Sequence, residues 1–391
     1  MYKIQTLNKI STEGLSAFPR DSYEIASDLP NPDAILVRSA DMRQMSFPLT
    51  VKAVARAGAG VNNIPVPALT ERGVVVFNTP GANANAVKEL AILSLLAVSR
   101  NIISAAEWVK GLSGDDIEAQ AEKGKASFAG PELAGKTLGV IGLGAIGVLI
   151  ANSAVDLGMR VTGYDPFISV EGAWALNRDV ARAESLEALL AKSDYVTIHV
   201  PQTPETKGLI NTDTIRAMKA GARLINLARG GLVANADVLA ALDSGKIAGF
   251  VSDFASADLL AHPRVICLPH LGASTPEAED NCARMAAKQI RDFLETGEIV
   301  NSVNFPRTKI DGPVPAAGSR ICAANRNVPN MVGQITTILA GARLNIAAMV
   351  NQNRADLAYN IIDVESPLQP ETIERLCGID GILSVRVVEK R

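Results

Sequence analysis

The stretch that most restricts this chain runs from residue 137 to 147: Thr-Leu-Gly-Val-Ile-Gly-Leu-Gly-Ala-Ile-Gly. Leu138 to Ile141 is a short apolar run of the kind that forms a buried parallel strand. Gly142, Gly144 and Gly147 follow at G-x-G-x-x-G spacing, and Val148 to Leu157 reads as a helix. That strand–turn–helix order is what a dinucleotide fingerprint needs. Gly142 permits a tight turn. Gly144 lets the backbone approach a pyrophosphate, whose charge a helix N-terminus favours. Gly147 allows close helix–strand packing. A second strand, Arg160 to Gly163, leads to Asp165, about 20 residues past the glycines. A carboxylate there accepts hydrogen bonds from an adenine ribose diol and repels a 2′-phosphate, so NAD is favoured over NADP.

The chain has 391 residues, enough for two or three domains. Its formal net charge of −3 gives no basic footprint for nucleic acid. No apolar run has the length of a bilayer span, and the N-terminal residues do not read as a signal peptide. Cys267, Cys282, Cys322 and Cys377 fit no zinc spacing. These features imply a cytoplasmic α/β protein with reduced, buried thiols.

Along residues 1–95 short strands alternate with helices, with strands expected at 2–7, 34–37, 53–56 and 74–77. Two loops at strand ends stand out. One is Val37-Arg38-Ser39. The other is Arg56-Ala57-Gly58-Ala59-Gly60-Val61-Asn62-Asn63, whose glycines suit a nest of backbone N–H groups around a carboxylate. The same loops also read as ordinary connections with solvated arginines. A long apolar helix is expected from 84 to 99. The polar residues 100–130 read either as an arm packing on a second subunit or as a solvated helix. After the fingerprint the alternation continues, with strands at 195–200, 222–227, 247–251 and 265–268. In open parallel sheets the ligand lies beyond the carboxyl ends of the strands. The loops there hold Arg229, Asp253 and His270. An amphipathic helix at 275–295 precedes a proline-bearing segment. Residues 319–391 then read as a separate small βαββαβ unit, the ferredoxin-like order.

Hydride removal from a 2-hydroxy acid needs a base for the hydroxyl proton, a cation for the carboxylate, and a group that orients the base. His270 is the one histidine at a strand end in this half, and its ordinary pKa suits proton transfer near neutrality. His199 lies inside an expected strand, and His262 precedes Pro263 in a turn. Arg229, followed by Gly230-Gly231, can grip a carboxylate with both nitrogens.

Residues 1–305 resemble the D-2-hydroxyacid dehydrogenases. The motifs that carry the resemblance are Gly142-Leu-Gly-Ala-Ile-Gly147, Gly163-Tyr-Asp165-Pro166, Asn226-Leu-Ala-Arg229-Gly-Gly, Leu268-Pro-His270-Leu-Gly-Ala-Ser-Thr275 and Asn78-Thr-Pro-Gly-Ala-Asn-Ala-Asn-Ala-Val-Lys-Glu89. Residues 319–391 resemble an ACT domain. The resemblance implies a Rossmann-type doubly wound domain over 99–286 and a flavodoxin-like substrate domain over 1–98 plus 287–305. A linker over 306–318 and a ferredoxin-like regulatory domain over 319–391 complete the expected order. It implies NAD-linked oxidation of 3-phosphoglycerate to 3-phosphohydroxypyruvate, the first step of L-serine biosynthesis, by a homodimer or homotetramer.

The residues it implies for the cofactor are Gly142, Gly144, Ala145, Ile146, Gly147, Asp165, Val200, Leu227, Ala228, Arg229, Asp253, His270, Gly272 and Ala273. Those for the substrate are Arg38, Ser39, Arg56, Gly58, Ala59, Gly60 and, across subunits, Lys125. Arg229, His270 and an acidic orienter are the catalytic set. Here the chain departs from the family's Asp-Val-Phe-x-x-Glu-Pro: it reads Asp253-Phe-Ala-Ser-Ala-Asp258, so Asp258 stands at the glutamate's offset, one methylene shorter. Ala59 stands where relatives often carry threonine. In the ACT-like part the pattern His-x-Asn-x-x-Gly becomes Asn325-Arg-Asn327-Val-Pro-Asn330, which lacks the histidine and the glycine. Asn327 and Asn345 remain as amides for an L-serine effector. A glyoxylate or hydroxypyruvate reductase and a non-catalytic NAD-sensing protein are the competing readings.

Overall fold

Strands in this chain are short apolar runs, and their burial shows why. Ala34-Ile-Leu-Val and Tyr195-Val-Thr-Ile are buried at every position, as parallel strands covered on both faces must be. The computed structural model describes residues 1–389. The chain divides into two compact units, one from residues 1–83 with residue 279 onward, the other from residues 84–278.

In the first unit β1 (Tyr2–Leu7), β2 (Tyr23–Ala26), β3 (Ala34–Val37), β4 (Ala53–Arg56) and β5 (Val75–Phe77) form a parallel sheet in the order β2-β1-β3-β4-β5. That is the flavodoxin-like order. Arg38 and Arg56 lie at the carboxyl ends of neighbouring strands, because β3 pairs β4 with Val37 opposite Arg56.

In the second unit β6 (Thr137–Ile141), β7 (Arg160–Tyr164), β8 (Val180–Arg182), β9 (Tyr195–Ile198), β10 (Ala222–Asn226), β11 (Ile247–Ser252) and β12 (Val265–Cys267) form a seven-stranded parallel sheet. Its order is β12-β11-β10-β9-β6-β7-β8. This is a doubly wound sheet whose order reverses between β6 and β9, the place where such folds leave a ligand crevice. The helix Ala84–Arg100 buries Val87, Ala91, Leu95 and Val98 in a core shared with Val140 and Ile150. It therefore belongs wholly to this unit, and the division falls at 83/84 where 98/99 was expected. The second division falls at 278/279 where 286/287 was expected, because Cys282, Ala283 and Ala286 bury in the core of the first unit.

The C-terminal part of the first unit contains β13 (Ser319–Arg326), β14 (Ile346–Arg354), β15 (Leu357–Val364) and β16 (Ile382–Val388). They form an antiparallel sheet in the order β14-β15-β13-β16, with helices Met331–Gly341 and Pro370–Cys377. One face packs on those helices through Ile321, Ile362 and Val364. The other face, through Cys322, Ala324, Tyr359 and Ile361, shares a core with Ile4, Phe77, Ile290 and Phe293. With both faces covered, all eight residues of β15 are buried. The sheet is therefore not the separate unit that its sequence suggests. The segment expected as a linker is packed as well, with Ile310 and Val314 in the same core.

Polar groups on this doubly covered sheet must be paired. Arg320, 1% exposed, makes a two-pronged ion pair with Asp363, and its remaining N–H groups reach the carbonyls of Thr296, Gly312 and Pro313. Asn351, Asn360 and Asn325 hydrogen-bond in a row across three strands. The last carbonyls of helix Pro276–Thr296 run short of backbone partners, as at every helix end, although Phe293 still accepts the Gly297 N–H. Arg386 donates to the carbonyls of Phe293 and Leu294, with its guanidinium carbon 4.1 Å from the Phe293 ring centroid. Tyr359 donates to the carbonyl of Gly297.

Edge strands β2 and β8 add to the expected elements, and the polar stretch 100–130 holds the helices Ile102–Lys110 and Ile117–Gly124. Of the four free thiols, Cys282 and Cys322 are buried, Cys267 is partly covered and Cys377 is exposed. Among the described residues no single helix is long and apolar enough to cross a membrane.

Candidate active site

The glycine turn has the geometry its spacing predicts. Gly142 adopts φ +91°, and a Cβ there would meet the carbonyl oxygen of His199 at 2.7 Å. A Cβ on Gly147 would lie 1.9 Å from the carbonyl oxygen of Gly142, so helix Ala145–Asp156 sits against the turn as only glycine allows. Gly144 faces open space and precedes Ala145 and half-buried Ile146 at the head of that helix, where no side chain caps the first N–H groups. Asp165 braces the turn. Its Oδ2 accepts from the Leu143 N–H at 2.8 Å and its Oδ1 from the Phe167 N–H at 2.8 Å. Each oxygen keeps acceptor capacity for a ribose diol. An open glycine turn, uncapped helix N–H groups and a braced carboxylate fit an adenine dinucleotide.

Three adjacent strand ends in this unit are stitched together. After β10, the Asn226 side chain, 1% exposed, donates to the carbonyl of Arg229 and accepts from the Ala228 N–H. This holds the Leu227–Arg229 turn and leaves the Arg229 guanidinium exposed, with one N–H on the Ala228 carbonyl. After β11, the Asp253 N–H reaches the carbonyl of Asn226 at 3.1 Å. Asp253 is 1% exposed. Its Oδ1 accepts from the Leu271 N–H at 2.8 Å and its Oδ2 from the Gly272 N–H at 2.9 Å, while its carbonyl accepts from the His270 N–H. After β12, His270 is exposed and held at φ +57°, a left-handed conformation that non-glycine residues seldom adopt. Its ring packs beside Phe254, with centroids 5.1 Å apart. Val200, beyond β9, and Ala273 complete the expected set at these ends.

Asn226 and Phe254 are site residues that the sequence reading missed. Phe254 directly follows Asp253 at a strand end, a position that would have flagged it. Asp253 carries a role its position alone does not show, because both of its oxygens anchor the His270 loop.

In the first unit Arg56 Nε donates to the Arg38 carbonyl at 2.9 Å, which ties the two strand-end loops together. Asn8 Oδ1 accepts from the N–H groups of Ser39 and Ala40. The Gly58 carbonyl accepts from the Thr79 N–H, and the Ala59 carbonyl from Asn78 Nδ2. These bonds fix Gly58 and Ala59 through their carbonyls, and the Gly58 N–H is itself taken by the Arg56 carbonyl at 2.9 Å. The Arg38 guanidinium reaches Glu279 Oε1 at 2.5 Å.

A family model described as the D-isomer specific 2-hydroxyacid dehydrogenase NAD-binding domain matches residues 92–272. A D-3-phosphoglycerate dehydrogenase of Synechocystis is 38% identical over 292 residues, 72% of this chain and 50% of that protein. One from Mycobacterium leprae is 37% identical over 376 residues, 93% of this chain and 65% of that protein. The family match lies wholly in the second unit, where the glycine turn and the stitched strand ends are. The chain spans between half and about two-thirds of the length of these curated relatives. Among solved structures, an NAD-bound 3-phosphoglycerate dehydrogenase of Entamoeba histolytica matches with a TM-score of 0.60 at 25% identity, over 78% of this chain and 98% of that one.

Two expected placements differ. Asp258 opens the short helix Ala257–Leu260 and is exposed. Its carboxylate accepts from Ser256 Oγ, and that bond, ahead of other local ones, holds it below the usual carboxylate range. It makes no hydrogen bond to His270, whose ring partner is Phe254. One methylene too few and the competing Ser256 hydroxyl explain the difference. Lys125 is exposed and pairs with Glu122 of its own chain. Asn327 and Asn345 lie at opposite ends of β15. The Asn327 N–H bonds the Asp356 carbonyl beside Leu357, and the Asn345 carbonyl takes the Glu365 N–H beside Val364. An eight-residue strand separates them by roughly 20–25 Å, so one chain cannot hold a single serine with both.

Proposed function

We propose that the chain is an NAD-dependent dehydrogenase that oxidises 3-phosphoglycerate to 3-phosphohydroxypyruvate, the first step of L-serine biosynthesis. The observation that carries the reading is the pair of cationic strand-end loops, Arg38 and Arg56 with Gly58–Gly60, alongside the match to a family whose chemistry acts on 2-hydroxy acids. These residues suit the anionic groups of a doubly charged substrate. The bound nicotinamide supplies the hydride acceptor. His270 takes the hydroxyl proton as hydride leaves, and Arg229 grips the carboxylate and stabilises charge that develops on the oxygen. Asp253 and Asn226 act indirectly, by fixing the loops on which His270 and Arg229 stand. The carboxylate of Asp165 favours NAD over NADP.

The reading includes a self-association. Leu93, Leu96, Ile102, Ile103 and Val109 are 43–57% exposed along helices Ala84–Arg100 and Ile102–Lys110. Such a stripe suits burial against a second copy of the chain.

NADH formation with 3-phosphoglycerate, compared with D-glycerate, tests the substrate. Turnover confined to the phosphorylated acid supports the reading. Turnover of glyoxylate or hydroxypyruvate with none of 3-phosphoglycerate replaces it with the reductase reading. NAD binding without turnover of any of them moves the chain to a binding protein. Sedimentation at equilibrium tests the second copy, and a monomer at micromolar concentration refutes it.

A further inference from the structure

Glu279 lies in the first turns of helix Pro276–Thr296, one turn ahead of Cys282, whose side chain buries in the core of the first unit. That spacing puts Glu279 on the face turned towards the ends of β3 and β4. Two further observations place it in the cationic cluster. Its Oε1 is 2.5 Å from Arg38 Nη2, with both side chains about two-fifths exposed. The Cys282 thiol, pushed up chiefly by burial, feels Arg38 and Arg56 as lowering charges and Glu279 as a raising one, so all four share one environment. The hydroxyl of Thr79, fully buried, faces that thiol. A carboxylate thus stands where the proposed function needs an anion-binding surface, and it already holds one of the two arginines.

We propose that Glu279 sets the anion affinity and specificity of this site by competing with the substrate's anionic tail for Arg38. The inference rests on the reading of Arg38 and Arg56 as the groups that hold the substrate's anions. A partly exposed ion pair is weak enough for a ligand to displace. A phosphate dianion that approaches Arg38 must break the pair and then tolerate the displaced carboxylate nearby. An uncharged tail has neither the incentive to break it nor the repulsion to bear. Glu279 therefore lowers affinity for charged tails while leaving Arg38 ordered and satisfied before binding. Its neutral isostere releases the guanidinium and removes the repulsion together.

The test is Glu279→Gln in the full chain, probed with inorganic phosphate by calorimetry and with 3-phosphoglycerate by steady-state kinetics. The Kd for phosphate falls about three- to tenfold. KM for 3-phosphoglycerate falls by a similar factor, more than kcat changes, and KM for D-glycerate moves less. The gain shrinks as ionic strength rises. Phosphate binding that is unchanged or weaker, with NADH affinity intact, overturns the proposal and makes Glu279 a support for Arg38. Should NADH affinity also be lost, Glu279→Asp withdraws the carboxylate from Arg38 by a methylene. A smaller gain in phosphate affinity then supports the competition, and none overturns it. Tighter phosphate binding with no turnover of 3-phosphoglycerate by either protein sustains the competition and fails the substrate reading. Turnover without a gain in phosphate affinity does the reverse.

Discussion

Asp253→Asn isolates what holds the catalytic loop. The wild-type carboxylate accepts two backbone N–H groups, from Leu271 at 2.8 Å and Gly272 at 2.9 Å, at a position only 1% exposed. Asparagine keeps one acceptor and turns an NH2 towards the other N–H. One hydrogen bond to a charged group is lost, and solvent cannot replace it at that depth. Such bonds contribute about 1.5–3 kcal/mol. The loop they fix carries His270 at φ +57°, a conformation that costs roughly 1–3 kcal/mol and persists only under outside constraint. With the constraint weakened, His270 relaxes towards ordinary backbone angles and leaves its productive position. A shift of 1.4 kcal/mol is tenfold, so kcat with 3-phosphoglycerate falls at least tenfold, and up to about a hundredfold. NADH formation gives kcat, and fluorescence titration gives the NAD Kd. A kcat within twofold of wild type, alongside a lower Tm, refutes the argument, because the loop would then be held by something else. A rise in NAD Kd that accounts for the whole loss in kcat/KM also refutes it, because Asp253 would then act through the cofactor.

Other outcomes follow from particular side chains. Asp258→Asn leaves kcat within about twofold and Tm nearly unchanged, since the carboxylate is exposed and bonded only locally, first to the Ser256 hydroxyl. A large kcat loss would restore it as the orienter of His270. Arg320→Met strands the buried Asp363 carboxylate and costs about 3–5 kcal/mol in urea unfolding, and a loss below 1 kcal/mol would show that the pair is dispensable. Burial pushes His199 down to about 3, so it is neutral in the fold and gains a proton on unfolding below its ordinary pKa of 6.5. Its share of stability is intact above pH 6.5 and falls with pH between 6.5 and 3, at up to about 1.4 kcal/mol per unit. Urea unfolding at pH 7 and pH 5 therefore differs less in His199→Gln than in wild type, and equal differences refute the assignment.

Most strands were legible because both faces of each parallel sheet are covered, which leaves a continuous apolar run in the sequence. β2 and β8 escaped because edge strands need no such run: Tyr-Glu-Ile-Ala and Val-Ala-Arg mix polar and apolar residues. The glycine turn, Asp165, Arg229 and His270 were legible because chemistry demands particular residue types at particular strand ends. What stayed hidden depends on partners distant in sequence. Arg38 and Glu279 are 241 residues apart, and Arg320 and Asp363 are 43 apart. Asn327 and Asn345 look close in sequence, yet helix Met331–Gly341 carries the chain from one end of the sheet to the other. Asp258 misled because an offset fixes a position along the backbone but not the direction of the side chain.

The C-terminal sheet poses the same question on the scale of a domain. Its βαββαβ order reads as a module that stands alone, and a separable module predicts that a chain ending at residue 305 keeps the stability of the rest. The packing predicts otherwise. Cys322, Ala324, Tyr359, Ile361 and Val388 complete the core that buries Ile290, Phe293 and Leu294. Without the sheet those side chains face water, and a fully buried large apolar residue is worth about 1.5–3 kcal/mol. The last carbonyls of helix Pro276–Thr296 also lose Arg320 and Arg386 as donors, and the Gly297 carbonyl that follows loses Tyr359. Three uncovered apolar side chains alone approach the 5–15 kcal/mol that holds a typical domain together. The 1–305 chain is therefore expected to aggregate or to melt more than 10 °C below the full chain. An unchanged Tm would show that the shared core is incidental and the module separable.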